Sequence, residues 1–130
     1  MSAKPRLLVI DNEIDVGNFV KSFFEIRGFD VVSVLNGDEG MKVLDDVKPD
    51  LVILDVIMRR DMEGLEYLPL IKKKLPGVKV IMITGVDDVD TIAICKKMGA
   101  DDYITKPLAL EYLESTVMDK IKHLRESAPS

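Results

Sequence analysis

Hydrophobic positions follow two rhythms along this chain. A short unbroken apolar run occurs at Leu51–Leu54 (LVIL), and similar apolar-rich stretches at Arg6–Ile10 (RLLVI) and Val78–Thr84 (VKVIMIT). Their length and aliphatic content are those of strands buried on both faces, as in a parallel sheet. The Val-rich stretch VVSVL inside Asp30–Leu35 and the triplet Tyr103-Ile104-Thr105 predict two more strands. Between them the spacing turns helical. From Glu13, the residues Val16, Phe19, Val20 and Phe23 share one helix face, and Gly28 closes it. Asn36 with Glu39 three residues later is a capping-type start for a helix to about Asp46. Further helices are expected over Leu65–Leu75, closed by Pro76-Gly77, over Asp87–Met98, stopped by Gly99, and from Leu110 to about Arg125. Pro69 removes a hydrogen bond from the third of these, at about 3 kcal/mol outside the first turn. That helix is therefore expected to start late or to be kinked.

Strict alternation of five strands and five helices predicts an α/β domain with a parallel sheet covered on both faces. No internal repeat or linker divides it, so residues 1–126 read as one domain and 127–130 as a polar tail. Composition narrows the function classes. The net charge is −5 and no Lys/Arg stripe with interleaved aromatics is present, which argues against direct nucleic-acid binding. The longest apolar run is far short of a membrane span, and the first residues are too short and polar for a signal peptide. A single cysteine, Cys95, cannot form an internal disulfide and reads as a small hydrophobe in a helix, so a cytoplasmic setting is expected.

Right-handed crossovers place the carboxyl ends of all five strands on one edge. Asp11, Asp55, Thr84 and Lys106 each stand at or just beyond such an end, so polar groups from four distant positions converge there. Neighbouring carboxylates resist ionising unless a cation holds them. With oxygen ligands and no histidine or cysteine nearby, the fitting ion is hard, Mg²⁺ before Ca²⁺. A lysine and a hydroxyl facing an acid-bound divalent ion form a cradle for a phosphoryl group, with a carboxylate as nucleophile. No GxxxxGK[ST] or GxGxxG pattern indicates a nucleotide pocket.

Four segments in this order resemble the receiver domain of two-component response regulators: Ile10-Asp11-Asn12-Glu13, PDLVILD ending at Asp55, IMITG at 81–85, and GADDYITKP at 99–107. The resemblance covers nearly the whole chain. It implies a flavodoxin-like doubly wound fold with sheet order 2-1-3-4-5, the topological switch point lying between the strands that carry Asp11 and Asp55. It also implies Asp55 as phosphoacceptor, Mg²⁺ held by Asp11, Asp55 and the carbonyl of Ile57, Thr84 bonding the phosphoryl oxygen, and Lys106 pairing with it before a cis Lys106-Pro107 bond. Tyr103 resembles the aromatic switch residue. The implied partners are a histidine kinase or histidine phosphotransfer protein upstream, and a downstream protein or an effector domain missing from the chain. The output face would be the fourth helix, fifth strand and fifth helix, near Lys96, Lys97, Asp101 and Asp102, and homodimerisation through it is open. Such a protein is a regulatory switch rather than an enzyme.

The chain departs from this pattern at several points. The usual second acid of the metal pair is Asn12, an amide ligand without charge, and the side chain of Glu13 is expected to point elsewhere. The segment from Met58 to Glu63 lacks the proline after the methionine and carries one extra residue before Gly64. Ile57 and Val86, by resemblance, flank the path of hydrolytic water, and their apolar side chains imply slow self-dephosphorylation. Asn12 also supports an alternative, a pseudo-receiver that docks partners without phosphorylation. An acid-nucleophile phosphatase is disfavoured, since Ile57 stands where a proton-donating acid is needed. His123, near the end of the last helix beside Lys122, fits the helix C-terminal dipole better than a phosphotransfer role.

Overall fold

The computed structural model describes residues 4–57, 63–85 and 89–126. Five strands, β1 (Arg6–Ile10), β2 (Asp30–Val34), β3 (Leu51–Asp55), β4 (Lys79–Thr84) and β5 (Asp102–Thr105), form one sheet in the order β2-β1-β3-β4-β5. Every pairing is parallel, so the expected order and direction hold. The strands that carry Asp11 and Asp55 are adjacent, with Leu7 opposite Leu51 and Ile10 opposite Leu54.

The period of two along each strand divides the core into two layers. Leu7, Val9, Leu51, Ile53, Ile81, Ile83 and Ile104 face one side of the sheet. Helix α1 (Ile14–Ile26) covers them with Val20, Phe23 and Phe24. Leu8, Ile10, Val52, Leu54, Val80 and Met82 face the other side, under Leu44 of α2 (Gly37–Val47), Leu68 and Ile71 of α3 (Gly64–Lys74) and Cys95 of α4 (Val89–Lys97). Phe24 lies edge-on to both Phe23 and Phe29, at centroid distances of 4.9 and 5.2 Å, which fixes the turn leading into β2. Cys95 is buried as expected, and burial pushes its thiol pKa up, away from reactivity.

Helix ends follow the local chemistry. The Asn36 side chain accepts the Glu39 N–H at 2.9 Å and donates to the Glu39 carboxylate at 3.1 Å, so the predicted cap is present. Gly28 (φ 92°) and Gly99 (φ 109°) end α1 and α4 in the left-handed region that glycine tolerates. Of the two outcomes expected from Pro69 in α3, the late start does not occur. That helix starts at Gly64, not late, and runs through Pro69. Its first turn is anchored from outside, because the Gly64 N–H donates to the Val56 carbonyl at 2.8 Å.

The last helix, α5, holds a feature that periodicity did not announce. Its α-helical segments Leu110–Tyr112 and Met118–Glu126 are joined by a π-helical turn, Leu113–Val117. Leu113, Val117 and Ile121 all face the core at four-residue steps. An α-helix would rotate such a row by about 80° over two steps, and a wider turn reduces that drift.

Candidate functional site

The parallel sheet brings Asp11, Asp55, Thr84 and Lys106 to one edge, as their positions in sequence require. Asp55 is the last residue of β3 and is buried. One carboxylate oxygen accepts the Ile57 N–H at 3.2 Å, and the other lies 3.2 Å from the Lys106 ammonium. Asp11 follows β1 directly and has no exposed surface. Its N–H donates to the Val34 carbonyl of β2, and its Oδ1 accepts the Glu13 N–H at 2.8 Å. Lys106 reaches across the edge from β5, with its ammonium 3.0 Å from Asp11 Oδ2. Its own N–H donates to the carbonyl of Thr84 at 2.9 Å, and Thr84, the last residue of β4, is also buried. The Lys106-Pro107 bond is cis, as the resemblance implies.

Electrostatics at this edge are unbalanced. Burial, and then the neighbouring Asp11 carboxylate, push the Asp55 pKa up to about 7. Lys106 and the Ile57 N–H offset only part of that rise. Burial alone would lower the Lys106 ammonium. Asp11, Asp55 and Glu13 outweigh it and hold the group above its ordinary value.

Glu13 corrects an expectation. Its side chain does not point elsewhere: its carboxylate lies 3.1 Å from the Lys106 ammonium, at the open side of the cluster. The cause is local. Glu13 is the extended residue before α1, and its N–H is held by Asp11 Oδ1, which turns the residue back toward the edge. Asn12, between the two acids, is exposed.

The donor set fits a hard divalent cation. Asp11 Oδ2 is buried, and among the described residues no donor meets it in hydrogen-bonding geometry despite the nearby ammonium. Two buried carboxylates with a backbone carbonyl and an amide are oxygen ligands of the kind Mg²⁺ takes. Among the described residues, no three His, Cys, Asp or Glu side chains are grouped to hold a metal. A cation here would therefore depend on the Asn12 amide, the Ile57 carbonyl and water as much as on the acids.

The other predicted residues are more dispersed. Tyr103 is half-buried on β5, with the Lys96 and Lys120 ammoniums 5.2 and 5.1 Å from its ring centre. Asp102 pairs with Lys120 of α5 at 2.9 Å. Asp101 directly precedes β5. It is held by Lys72 of α3 at 2.5 Å and accepts the Val80 N–H, toward the amino ends of β4 and β5. His123 is exposed in the last turn of α5. Met58, Arg59, Arg60, Asp61, Met62, Val86, Asp87 and the tail 127–130 lie outside the described residues. Two features escaped sequence reading: Glu63, a buried carboxylate directly before Gly64, and Tyr112, whose hydroxyl accepts the Thr105 N–H at 3.1 Å. For Tyr112 the only signal was an aromatic six residues beyond the rim lysine.

A doubly wound sheet with acids at its switch point and a lysine facing them defines an α/β domain whose chemistry sits at one edge. The family model described as the response regulator receiver domain matches residues 7–118, and the chain belongs to that family. It is the receiver domain of a two-component response regulator, a signal-transduction domain. The chemotaxis protein CheY of Listeria monocytogenes is 38% identical over 114 residues, covering 84% of this chain and 95% of that protein. The alkaline phosphatase synthesis transcriptional regulatory protein PhoP of Bacillus subtilis is 28% identical over 96% of this chain and 52% of its own length. A CheY-like receiver domain structure from Methanospirillum hungatei superposes with a TM-score of 0.82 at 27% identity, covering 95% of this chain and 98% of that one. The chain thus spans about half the length of several curated regulators it matches and nearly all of the Listeria CheY. Among the described residues, no helix is long and apolar enough to cross a membrane.

Proposed function

We propose that this chain is a phosphoacceptor switch that takes a phosphoryl group on Asp55 from a histidine kinase or histidine phosphotransfer protein. The observation that carries the reading is the buried Asp55 carboxylate, paired with Lys106 and beside Asp11 at the carboxyl edge of the sheet. An Asp55 oxygen attacks the phosphorus in line, the bond from phosphorus to the donor breaks, and the donor leaves with that electron pair. Lys106 neutralises one oxygen of the incoming group and Thr84 donates a hydrogen bond to another. Asp11, Asp55, Asn12 and the Ile57 carbonyl would hold Mg²⁺, which when bound supplies charge neutralisation at the phosphoryl oxygens. Tyr103, half-buried on β5, serves as the switch that follows Thr84. The reading assigns residues 1–126 to the receiver and 127–130 to a tail. Output runs through the α4-β5-α5 face to a partner protein, an effector domain or a second copy of the chain.

The reading predicts that a small phosphodonor with Mg²⁺ adds one phosphoryl group to the intact mass. Chelating the metal, or the Asp55→Asn substitution, should abolish the gain. A gain retained by Asp55→Asn would overturn the assignment. A wild type that gains nothing would favour a pseudo-receiver that docks partners unphosphorylated, the reading to which the exposed Asn12 lends support. Loss of the added mass after donor removal should be slow, since Ile57 is 44% exposed beside Asp55 and cannot hydrogen-bond an attacking water. Rapid loss would show that this side chain does not limit water access.

Asn12 makes a second prediction. Restoring an acid at this position adds a unit of ligand charge, so Asn12→Asp should bind Mg²⁺ roughly tenfold more tightly than the wild type. A direct titration of the metal reads this. Equal affinities would mean that Asn12 is no handicap, with Glu13 the nearest group able to supply the charge.

A further inference from the structure

We propose that Tyr112 is a positioning residue for Lys106, acting through the backbone of Thr105; the proposal rests on the phosphoacceptor reading above. β5 is an edge strand, and its N–H groups point alternately toward β4 and away from the sheet. The Lys106 N–H points inward, to the Thr84 carbonyl. The N–H groups of Tyr103 and Thr105 therefore face outward. Asp102 takes the first through its own side chain at 2.8 Å, a bond confined to the strand. The second is taken from outside the strand, by the Tyr112 hydroxyl at 3.1 Å.

Tyr112 is well placed to hold that bond. It packs half-buried against the core layer under α5, and it stands immediately before the π-helical turn. In that turn the Ser115 hydroxyl donates to the Glu111 carbonyl at 2.8 Å, while Leu113 and Val117 are fully buried. The wider turn sets the rotation of the residues before it relative to the core-anchored residues after it.

The consequence falls on Lys106. From the residue after Thr105, its side chain passes the β4 end to meet Asp55 on β3 and Asp11 beyond β1. Its ammonium lies 3.0 Å from Asp11 and 3.2 Å from Asp55, so a shift of the strand end moves it relative to both carboxylates. Tyr112 thereby ties the register of α5 to the position of the lysine that meets the phosphoryl group. Capping of an exposed sheet edge is the purely structural alternative, and the two make different predictions.

The test uses Tyr112→Phe, which removes only the hydroxyl, in the wild-type and Lys106→Met backgrounds. One neutral hydrogen bond corresponds to a rate factor of about 3 to 10. Phosphorylation by a small phosphodonor with Mg²⁺ should slow by that factor in the first background and not at all in the second, because the effect requires the lysine. An unchanged rate in Tyr112→Phe would overturn the proposal. So would an equal loss in both backgrounds, the mark of edge capping alone. If the wild type accepts no phosphoryl group, the phosphoacceptor reading fails, and Nζ-selective ¹⁵N NMR then decides the positioning role separately. Loss of a protected Lys106 ammonium signal in Tyr112→Phe would sustain it, and a signal retained unchanged would overturn it.

Discussion

Asp55→Asn is expected to make the metal-free protein more stable than the wild type at pH 8, by roughly 2 to 4 kcal/mol, and to lose that advantage as pH falls toward 4. The buried Asp55 carboxyl is pushed up to about 7 from an ordinary value of 3.8, first by burial and then by Asp11. Its folded-state pKa lies above its unfolded one, so the fold binds the proton more tightly than the unfolded chain does. Ionisation then costs the fold stability. The cost is absent below the unfolded pKa, grows as pH rises between the two values and is complete above the folded one. A difference of about three pKa units corresponds to about 4 kcal/mol, and losing the Lys106 pairing reduces the benefit of removing the charge. Asparagine cannot ionise and escapes the penalty. Thermal unfolding of both proteins with a chelator, at several pH values between 4 and 8, reads the difference. A gain independent of pH, or a loss at pH 8, would show that Asp55 is not a strained anion in the fold.

A second large effect is expected at Gly64, on stability rather than charge. A Cβ at this position would lie 1.8 Å from the Asp55 carbonyl oxygen and 2.9 Å from the Val56 Cα. Both are backbone atoms, which cannot swing aside as a flexible side chain can. The Gly64 N–H bond to the Val56 carbonyl, at 2.8 Å, holds the two segments at that separation. Gly64→Ala must push α3 away from the end of β3 or distort the strand that carries Asp55. A cost of about 3 kcal/mol or more follows from overpacking against backbone. Urea unfolding measures it. By contrast, a Cβ at Gly77 meets nothing within 4 Å, so Gly77→Ala is the matched control. Equal effects at the two glycines would remove close approach as the reason for Gly64.

These expectations rest on features of different legibility. The sheet was readable because LLVI, LVIL and VIMI are fully buried strands with an unbroken apolar signature, and because alternation with helices forces parallel pairing. The meeting of Asp11, Asp55 and Lys106 was readable for the same reason, since each is placed by where a strand ends. What escaped depends on side-chain direction and close packing. Glu13 was misread because its orientation comes from an N–H held by Asp11, and nothing in residue spacing specifies that bond. The late start weighed for α3 does not occur because proline penalties are local, whereas the helix is anchored by a contact with β3. The pairing of Asp101 with Lys72 of α3 likewise has no signature in residue spacing. The π-helical turn has no signature in the spacing, since the four-residue steps Leu113, Val117 and Ile121 also fit the apolar stripe of an ordinary α-helix.

The central claim is that the Asp55 side chain itself becomes the acyl phosphate. Borohydride reduces an acyl phosphate to an alcohol and leaves free carboxylates unchanged, so it marks the phosphorylated aspartate permanently. The protein would be treated with a small phosphodonor and Mg²⁺, reduced, digested and mapped by peptide mass spectrometry. Homoserine at position 55, absent when Mg²⁺ is chelated, is the predicted result. An unmodified Asp55 in a chain that carries the reduced mark at Asp11, Glu13 or elsewhere would contradict it.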